Sequence, residues 1–483
     1  MSIYPSPEAY FLVIDQGGHA SRAVLFNHQG TLIKQNTRPV ETFCHEPDRV
    51  EHSPQEVIKS IKQAIALVVE EAIRGNRIPG DAQIVAGLAT QRSSIVCWDA
   101  ITGESLSPVI SWQDRRARDL IERLASHGDE VSETTGLRLS AHYGASKMNW
   151  CLNNLESVQL AYKENRLLMG PLSSYISFNL LEGRPKLVDP ANASRTLLWS
   201  LNTLDWDRSL LQLFSVPVET LPECVYTRHH FGSISLKNRS IPLEMITGDQ
   251  SAAVFAQGKP DPATAYINMG SGAFVQRRNI SAAASSRLLE SIVYADSEET
   301  VRISEGTVNG AGTALNWFAD TYNCKDLESK LQEWLSEVSS PDIFLNGVGG
   351  VGSPFWIPHM PSAFVDEDNS EIAEKAVAVV ESILFLVQAN LDELIAAGPQ
   401  IERLCVSGGL ASQVGICQRL ADLSGLTVFR PDQQEATAYG LAWLLAGQPA
   451  TWKEHTTGNE FKPKEGGSIQ QRYRHWQQLM RQS

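Results

Sequence analysis

The 483 residues contain no C-x-x-C pair: the seven cysteines, Cys44, Cys97, Cys151, Cys224, Cys324, Cys405 and Cys417, are scattered and odd in number. That usage argues against a disulfide framework and against structural zinc, and it fits reduced, mostly buried thiols in the cytoplasm. In such a setting the sequon-like Asn192-Ala193-Ser194 is idle. No apolar run approaches membrane-spanning length, and residues 1–7 have neither the basic start nor the apolar stretch of a secretory leader. A basic excess is also missing. Lys and Arg number 41 against 55 Asp and Glu, a formal charge of −14, so a nucleic-acid surface is not expected and a small ligand is. His45, His52, His142, His229, His230 and His359 show no metal-ligand spacing. The glycine-rich residues 347–356 lack the Gly-Lys-Ser/Thr ending of a P-loop.

Two glycine turns, each held between apolar runs, are what the chain has instead. In the first, Phe11-Leu12-Val13-Ile14 leads into Asp15-Gln16-Gly17-Gly18-His19 and out through Ala20 to Phe26. In the second, Ala265 to Met269 leads through Gly270-Ser271-Gly272 into Ala273-Phe274-Val275. Each reads as strand, tight turn, strand, because β-branched and aromatic residues suit a half-buried pleat and glycine accepts the φ values that close a hairpin. Backbone N–H groups in such a turn can hold phosphate oxygens. One Asp-x-Gly is an ordinary β-turn. Two, one per half, point to a duplicated nucleotide cleft.

A chain of this length exceeds one core, so two large domains are expected, divided as 1–257 and 258–450, with a tail and docking helix over 451–483. Ser53-Pro54-Gln55-Glu56 reads as a capping box opening a helix with Val57, Ile58, Ile61, Ile65, Val68 and Val69 at helical spacing. Strands are expected over 84–89, 241–247 and 404–407. Ser370 is expected to cap a helix over 371–397, and further helices are expected over 414–423 and 470–480. Thr90 to Ser94 follow a strand end, where open α/β sheets bind ligands.

Several stretches together resemble the FGGY carbohydrate kinases, most closely their glycerol kinase branch, over nearly the full length. The most specific is Val188-Asp189-Pro190-Ala191-Asn192-Ala193-Ser194-Arg195-Thr196, with Leu204-Asp205-Trp206-Asp207. Gly248-Asp249-Gln250 resembles the family's catalytic turn and Ser111 to Arg116 its substrate-side loop. Ser407-Gly408-Gly409-Leu410-Ala411-Ser412 resembles the adenosine-side loop. The resemblance implies an α/β fold of two actin-like ATPase (ribonuclease H-like) domains, each a mixed sheet with flanking helices, around a central cleft. It implies ATP and Mg²⁺ as cofactors, a small polyol or sugar as acceptor, and a homodimer or homotetramer. Asp249 becomes the catalytic base, taking the proton of a hydroxyl that is a poor nucleophile at neutral pH. Arg92, Ser93, Trp112, His142, Gln250 and Phe274 join it on the acceptor side. Gln16, Gly17, Gly18, His19, Ser21, Gly270, Ser271, Gly310, Gly409, Leu410 and Gln413 fall on the nucleotide side, and Asp15 and Asp249 near the metal.

The chain departs from that family's pattern at the first turn, where Gly18-His19 replaces two hydroxyl-bearing residues. On the acceptor side it has Ser93 for a glutamate, His142 for a tyrosine and the neighbouring Gly144, while Lys147 and Trp150 remain. The expected reading is an ATP-dependent kinase whose acceptor differs from glycerol. Its alternative is an impaired homologue that binds nucleotide or sugar without turnover. Residues 361–368 lack the family's Arg-Gly stretch, and residues 236–240 lack the glycine pair of sugar-bisphosphate-regulated members, so that feedback is not expected.

Overall fold

The computed structural model describes residues 8–46, 48–280, 287–365, 370–432, 435–455, 457–464 and 466–482. Residues 1–7 and 366–368, on which two of the sequence readings bear, lie outside them. Contacts divide the chain into two compact units. One comprises Met1–Lys259, Ser291–Arg302 and Glu435–Glu454; the other comprises Pro260–Glu290, Ile303–Gln434 and His455–Ser483. The units are thus discontinuous, where the division read from sequence is linear.

In the first unit the opening hairpin forms as β1 (Tyr10–Gln16) and β2 (Ala20–Phe26), extended by β3 (Leu32–Pro39). After α1 (Pro54–Arg74) the chain returns as β4 (Ile84–Thr90), which lies parallel to β1. Later β5 (Arg228–Leu236) and β6 (Arg239–Gly248) form an antiparallel pair, with β6 parallel to β4. The sheet order is β3-β2-β1-β4-β6-β5. Ser53 caps α1 by accepting from Glu56 N at 3.3 Å, one half of the expected box. The apolar face of α1, Val57, Ile61, Ile65, Val68 and Val69, is buried in the core that also contains Leu12, Ile14, Leu88 and Leu243. Each such side chain stabilises the fold by roughly 1.5–3 kcal/mol.

The second unit repeats the plan. Its hairpin is β7 (Thr264–Met269) and β8 (Ala273–Arg278), and the same sheet takes in β9 (Leu289–Ala295) and β10 (Thr300–Val308), of which residues 291–302 are counted with the first unit. Further along the chain, β11 (Arg403–Ser407) lies parallel to β7, β12 (Thr427–Pro431) parallel to β11, and β13 (Gly458–Phe461) antiparallel to β12. The order is β9-β10-β8-β7-β11-β12-β13. Stripped of edge additions, both sheets read third-second-first-fourth-fifth strand in chain order, a duplicated mixed sheet.

Two details correct the sequence reading. The long helix Ile372–Ala396 is capped by Glu371 rather than Ser370; Glu371 and Glu374 make the reciprocal box, with Glu371 N donating to the Glu374 carboxylate at 3.0 Å. A carboxylate at this position has the reach of a hydroxyl and also favours the helix's positive end. The polar stretch after Thr451 contains β13, an edge strand whose exposed residues hide any alternation. The C-terminal helix Ser468–Met480 buries Ile469, Tyr473, Trp476 and Met480 in the second core, and Arg472 holds the buried Glu381 with two bonds of 2.7 Å.

Candidate functional site

The register of the parallel strands places the first unit's chemistry. Asp15 and Thr247 both pair with Ala89, and Gln16 and Gly248 both pair with Thr90. Asp15, Arg92 and Asp249 therefore leave the sheet at one carboxyl end, the position at which α/β sheets bind ligands. Asp249 is not in a turn, as its glycine neighbour suggests, but opens the short helix Asp249–Ala253. Helix Ala436–Leu445 presses against it: a Cβ on Gly440 would lie 2.0 Å from Ala252 O, so only glycine permits the approach. Thr437 Oγ1 donates to Asp249 O at 3.2 Å, and the Arg92 methylenes cover Gly248.

The acids are crowded. Burial pushes the Asp249 carboxyl up, with Arg92 and Arg195 opposing. Asp15 is raised to about 7, first by desolvation and then by Asp249 and Glu435, against the pull of Arg22. The residue is half-buried, and desolvation is the largest cause of the rise. Arg22 pairs with Asp15 across the hairpin and forms an ion pair with Glu435. Acids held this way fit a divalent cation, and Mg²⁺ commonly takes one or two carboxylates, completing its shell with water and phosphate oxygens. Among the described residues no three or more His, Cys, Asp and Glu side chains form an all-protein metal cage.

At the first turn, Gly17 N donates to Ala20 O at 3.0 Å, Gly17 and Gly18 are half-buried, and His19 is exposed. Gln16 and Ser21 lie differently from the expectation of nucleotide contact. Both are fully enclosed; Ser21 donates to Gln16 Oε1 and meets Ser60 Oγ on α1 at 2.6 Å. Their side chains brace the turn from beneath, because the pleat turns Ser21 toward α1.

Around the acceptor-side residues, the Trp112 and His142 rings lie 5.6 Å apart. Ser93 adopts φ +64° and is buried, and its hydroxyl oxygen has no hydrogen-bond partner within the protein. His142 is pushed well below the usual histidine range by burial and by Arg115, Lys147, Arg195 and Arg92, so its ring is neutral at pH 7. Gln250 is half-buried, and its N–H donates to Asp249 Oδ1 at 2.6 Å. The Asp189 motif buttresses this end. Asp189 caps helix Pro190–Ala193, and Asn192 donates to Asp189 Oδ1 at 2.8 Å while accepting from Thr90 at 3.2 Å. With Asn192 buried, the sequon is closed to modification.

In the second unit the same sheet end carries backbone. Asn268 pairs with Ser407, so Gly270 and Gly408 leave together, and Asn268 donates to Ser407 Oγ at 3.1 Å. Gly408 has φ +91°, and an added Cβ would meet Met269 O at 2.4 Å. Gly270 N is used inside the turn, donating to Gly272 O at 2.8 Å, whereas Ser271 is exposed. Gly312 N and Thr313 N bond back to Gly270 O and Ser271 O at 2.9 and 3.0 Å, seating the buried Gly310 beside the turn. Gly409 and Leu410 begin a 3₁₀ turn, and Gln413 precedes helix Val414–Ser424. The glycine-rich loop after Asn346 packs here too, with Asn346 donating to Gly310 O at 2.8 Å and Asn309 to Gly349 O at 3.1 Å. Phe274 lies half-buried on β8 in this unit and is not among the residues the first unit gathers.

Arg22 and Glu435 carry no local signal as partners of the site; Lys147 and Ser94 lie in stretches the sequence marks, but their bonds do not show there.

A sheet built twice, acidic at one set of strand ends and bare glycine backbone at the other, falls in the class of actin-like, nucleotide-dependent phosphotransferases. The chain belongs to the FGGY family of carbohydrate kinases, whose N-terminal domain matches residues 10–256 and C-terminal domain residues 265–447. It is therefore a phosphotransferase with an alcohol acceptor. It is 32% identical to a glycerol kinase of Geobacter sp. (strain M21) over 495 residues, 98% of each chain. It is 31% identical to a glycerol kinase of Rhodopirellula baltica, over 98% of this chain and 90% of that one. In fold it is similar to Plasmodium falciparum glycerol kinase with ADP (TM-score 0.88, 21% identity, 98% of each chain covered). A xylulose kinase from Rhodospirillum rubrum is also similar (TM-score 0.85, 18% identity, 98% of each).

Proposed function

We propose that the protein transfers the terminal phosphoryl group of ATP to a hydroxyl of a small polyol or sugar other than glycerol. The observation that carries this reading is the meeting of Asp249, Asp15 and Arg92 at one strand end. Asp249 takes the acceptor proton; burial raises its pKa and so makes the carboxylate a stronger base, and the Arg92 cation opposes that rise. Arg92, Ser93, Trp112, His142 and Gln250 orient the acceptor, the two rings against carbon and the enclosed Ser93 hydroxyl toward an alcohol. Phe274 supplies a further apolar contact.

Asp15 and Asp249 would hold Mg²⁺, which when bound offsets the charge of the phosphates. The backbone of Gln16 to His19, the His19 side chain, and Gly270, Ser271, Gly310, Gly409, Leu410 and Gln413 hold the nucleotide; Ser21 supports the first turn from below. Residues 1–257 serve the acceptor and 258–450 the nucleotide, with 451–483 as the tail and docking helix. The cytoplasm is the proposed compartment, a homodimer or homotetramer the proposed assembly, and sugar-bisphosphate feedback is absent. No finding favours the alternative of binding without turnover.

The test is acceptor-dependent ADP release across a panel of polyols and sugars. Wild type should release ADP with at least one acceptor, and Asp249→Asn should lose about 10²–10⁴-fold in kcat while remaining folded. Release with no acceptor, or glycerol far superior to every other compound, contradicts the reading in whole or in its acceptor.

A further inference from the structure

Three loops of the first unit carry the acceptor-side residues, and one enclosed side chain joins all three. Lys147, on helix Gly144–Asn154, has no exposed surface. Its Nζ donates to Ser93 O at 3.2 Å, Ser111 O at 2.8 Å and His142 O at 2.7 Å. An ammonium has three donors and no acceptor, so these carbonyls use it completely. Each carbonyl belongs to a residue assigned to the acceptor or to its neighbour in the chain: Ser93 follows Arg92, Ser111 precedes Trp112, and His142 is itself in the wall.

Ser94 makes a second tie between two of the loops. Its hydroxyl accepts from Trp112 N at 3.0 Å and donates to Gln91 Oε1 at 3.1 Å. Burying the lysine charge is costly, and burial together with Arg115 pushes its pKa well below the usual lysine range. Asp114, whose field acts the other way, is engaged by Arg116 at 2.7 Å. The three carbonyls offset that cost only while the loops stay in register.

We propose that Lys147 and Ser94 are positioning residues that fix the gap between the Arg92–Ser93 loop and the Trp112 and His142 walls, a role that rests on the acceptor reading above. Neither side chain is assigned to touch the acceptor. Both act through backbone, where a displacement of about 1 Å can cost on the order of 10²-fold in rate.

The test uses Lys147→Met, which replaces the stem without the charge, and Ser94→Ala. Acceptor kcat/KM should fall about 10–100-fold in Lys147→Met and about 3–10-fold in Ser94→Ala, with the KM for ATP within about twofold of wild type. Amide hydrogen exchange, measured without acceptor, should quicken at residues 91–94 and 111–112 in both variants. A folded variant with acceptor kcat/KM within about twofold of wild type, or an ATP KM that moves in step with the acceptor's, overturns the proposal. If Lys147→Met does not fold, Ser94→Ala decides the matter alone. If wild type phosphorylates no acceptor, the functional reading falls, and exchange still judges the ties: quickened exchange supports them and unchanged exchange overturns them.

Discussion

The two units share a strand order and differ at the same address. Where β1, β4 and β6 end stand Asp15, Arg92 and Asp249, ionisable side chains pressed together; where β7 and β11 end stand Gly270, Ser271, Gly408 and Gly409, mostly backbone. In the second unit one buried charge sits away from the strand ends, on Glu381 between Arg419 and Arg472 under the C-terminal helix. Sheet topology brings the loops to the same strand ends in both. On the proposed reading, side chains decide whether that end moves a proton or presents N–H groups to an anion.

After Asp249→Asn, the largest effect that separates the two ends comes from Arg92→Ala. Removing a cation that lowers the Asp249 pKa raises it further, so the acid limb of kcat/KM moves toward alkaline pH and the acceptor kcat/KM falls about 10²–10³-fold. A pH profile of both proteins checks the direction; an unmoved limb separates Arg92 from the base.

Next is Gly408→Val. A side chain at φ +91°, where a Cβ would lie 2.4 Å from Met269 O, carries strain of about 1–3 kcal/mol before any clash is relieved. Titration calorimetry should show ATP affinity reduced about tenfold or more, at that same energy scale.

Asp15→Asn has a smaller effect on stability, of opposite sign to its effect on function. With a folded pKa of about 7 against an unfolded value near 4, the folded protein binds more protons between these limits. Stability is therefore lost as pH rises from about 4 to about 7 and stays lost above. In the absence of ligands, the variant should be more stable than wild type by about 1–2 kcal/mol at pH 8, after allowance for partial exposure, and equal to it near pH 4, by denaturant melts at both values. Ser271→Ala is the mildest: one neutral hydrogen bond, about 2–10-fold in the KM for ATP with acceptor KM unchanged.

Much of this contrast was legible in the residues. Glycine turns between β-branched runs announced both hairpins because turn chemistry and pleat alternation are local. Asp249 follows such a run, but its local pattern is that of a turn cap, and its expected role came from the resemblance alone. What local pattern cannot show is facing: Gln16 and Ser21 are polar and next to a glycine turn, yet the pleat turns them under it. Nor can it show partners far along the chain. Glu435 reaches Arg22 from the opposite end of the sequence, and the three carbonyls of Lys147 come from loops that only the folded unit assembles. The edge strand Gly458–Phe461 was hidden by its exposure, and the cap at Glu371 by the stronger expectation for serine next to it.

The most direct test of the division of labour measures two quantities in each of two variants: the nucleotide dissociation constant and the single-turnover rate of phosphoryl transfer at saturating nucleotide. Asp249→Asn should keep the first and lose the second, and Gly408→Val should weaken the first while largely keeping the second. Both quantities shifting together in both variants, or transfer persisting in Asp249→Asn, would contradict the account.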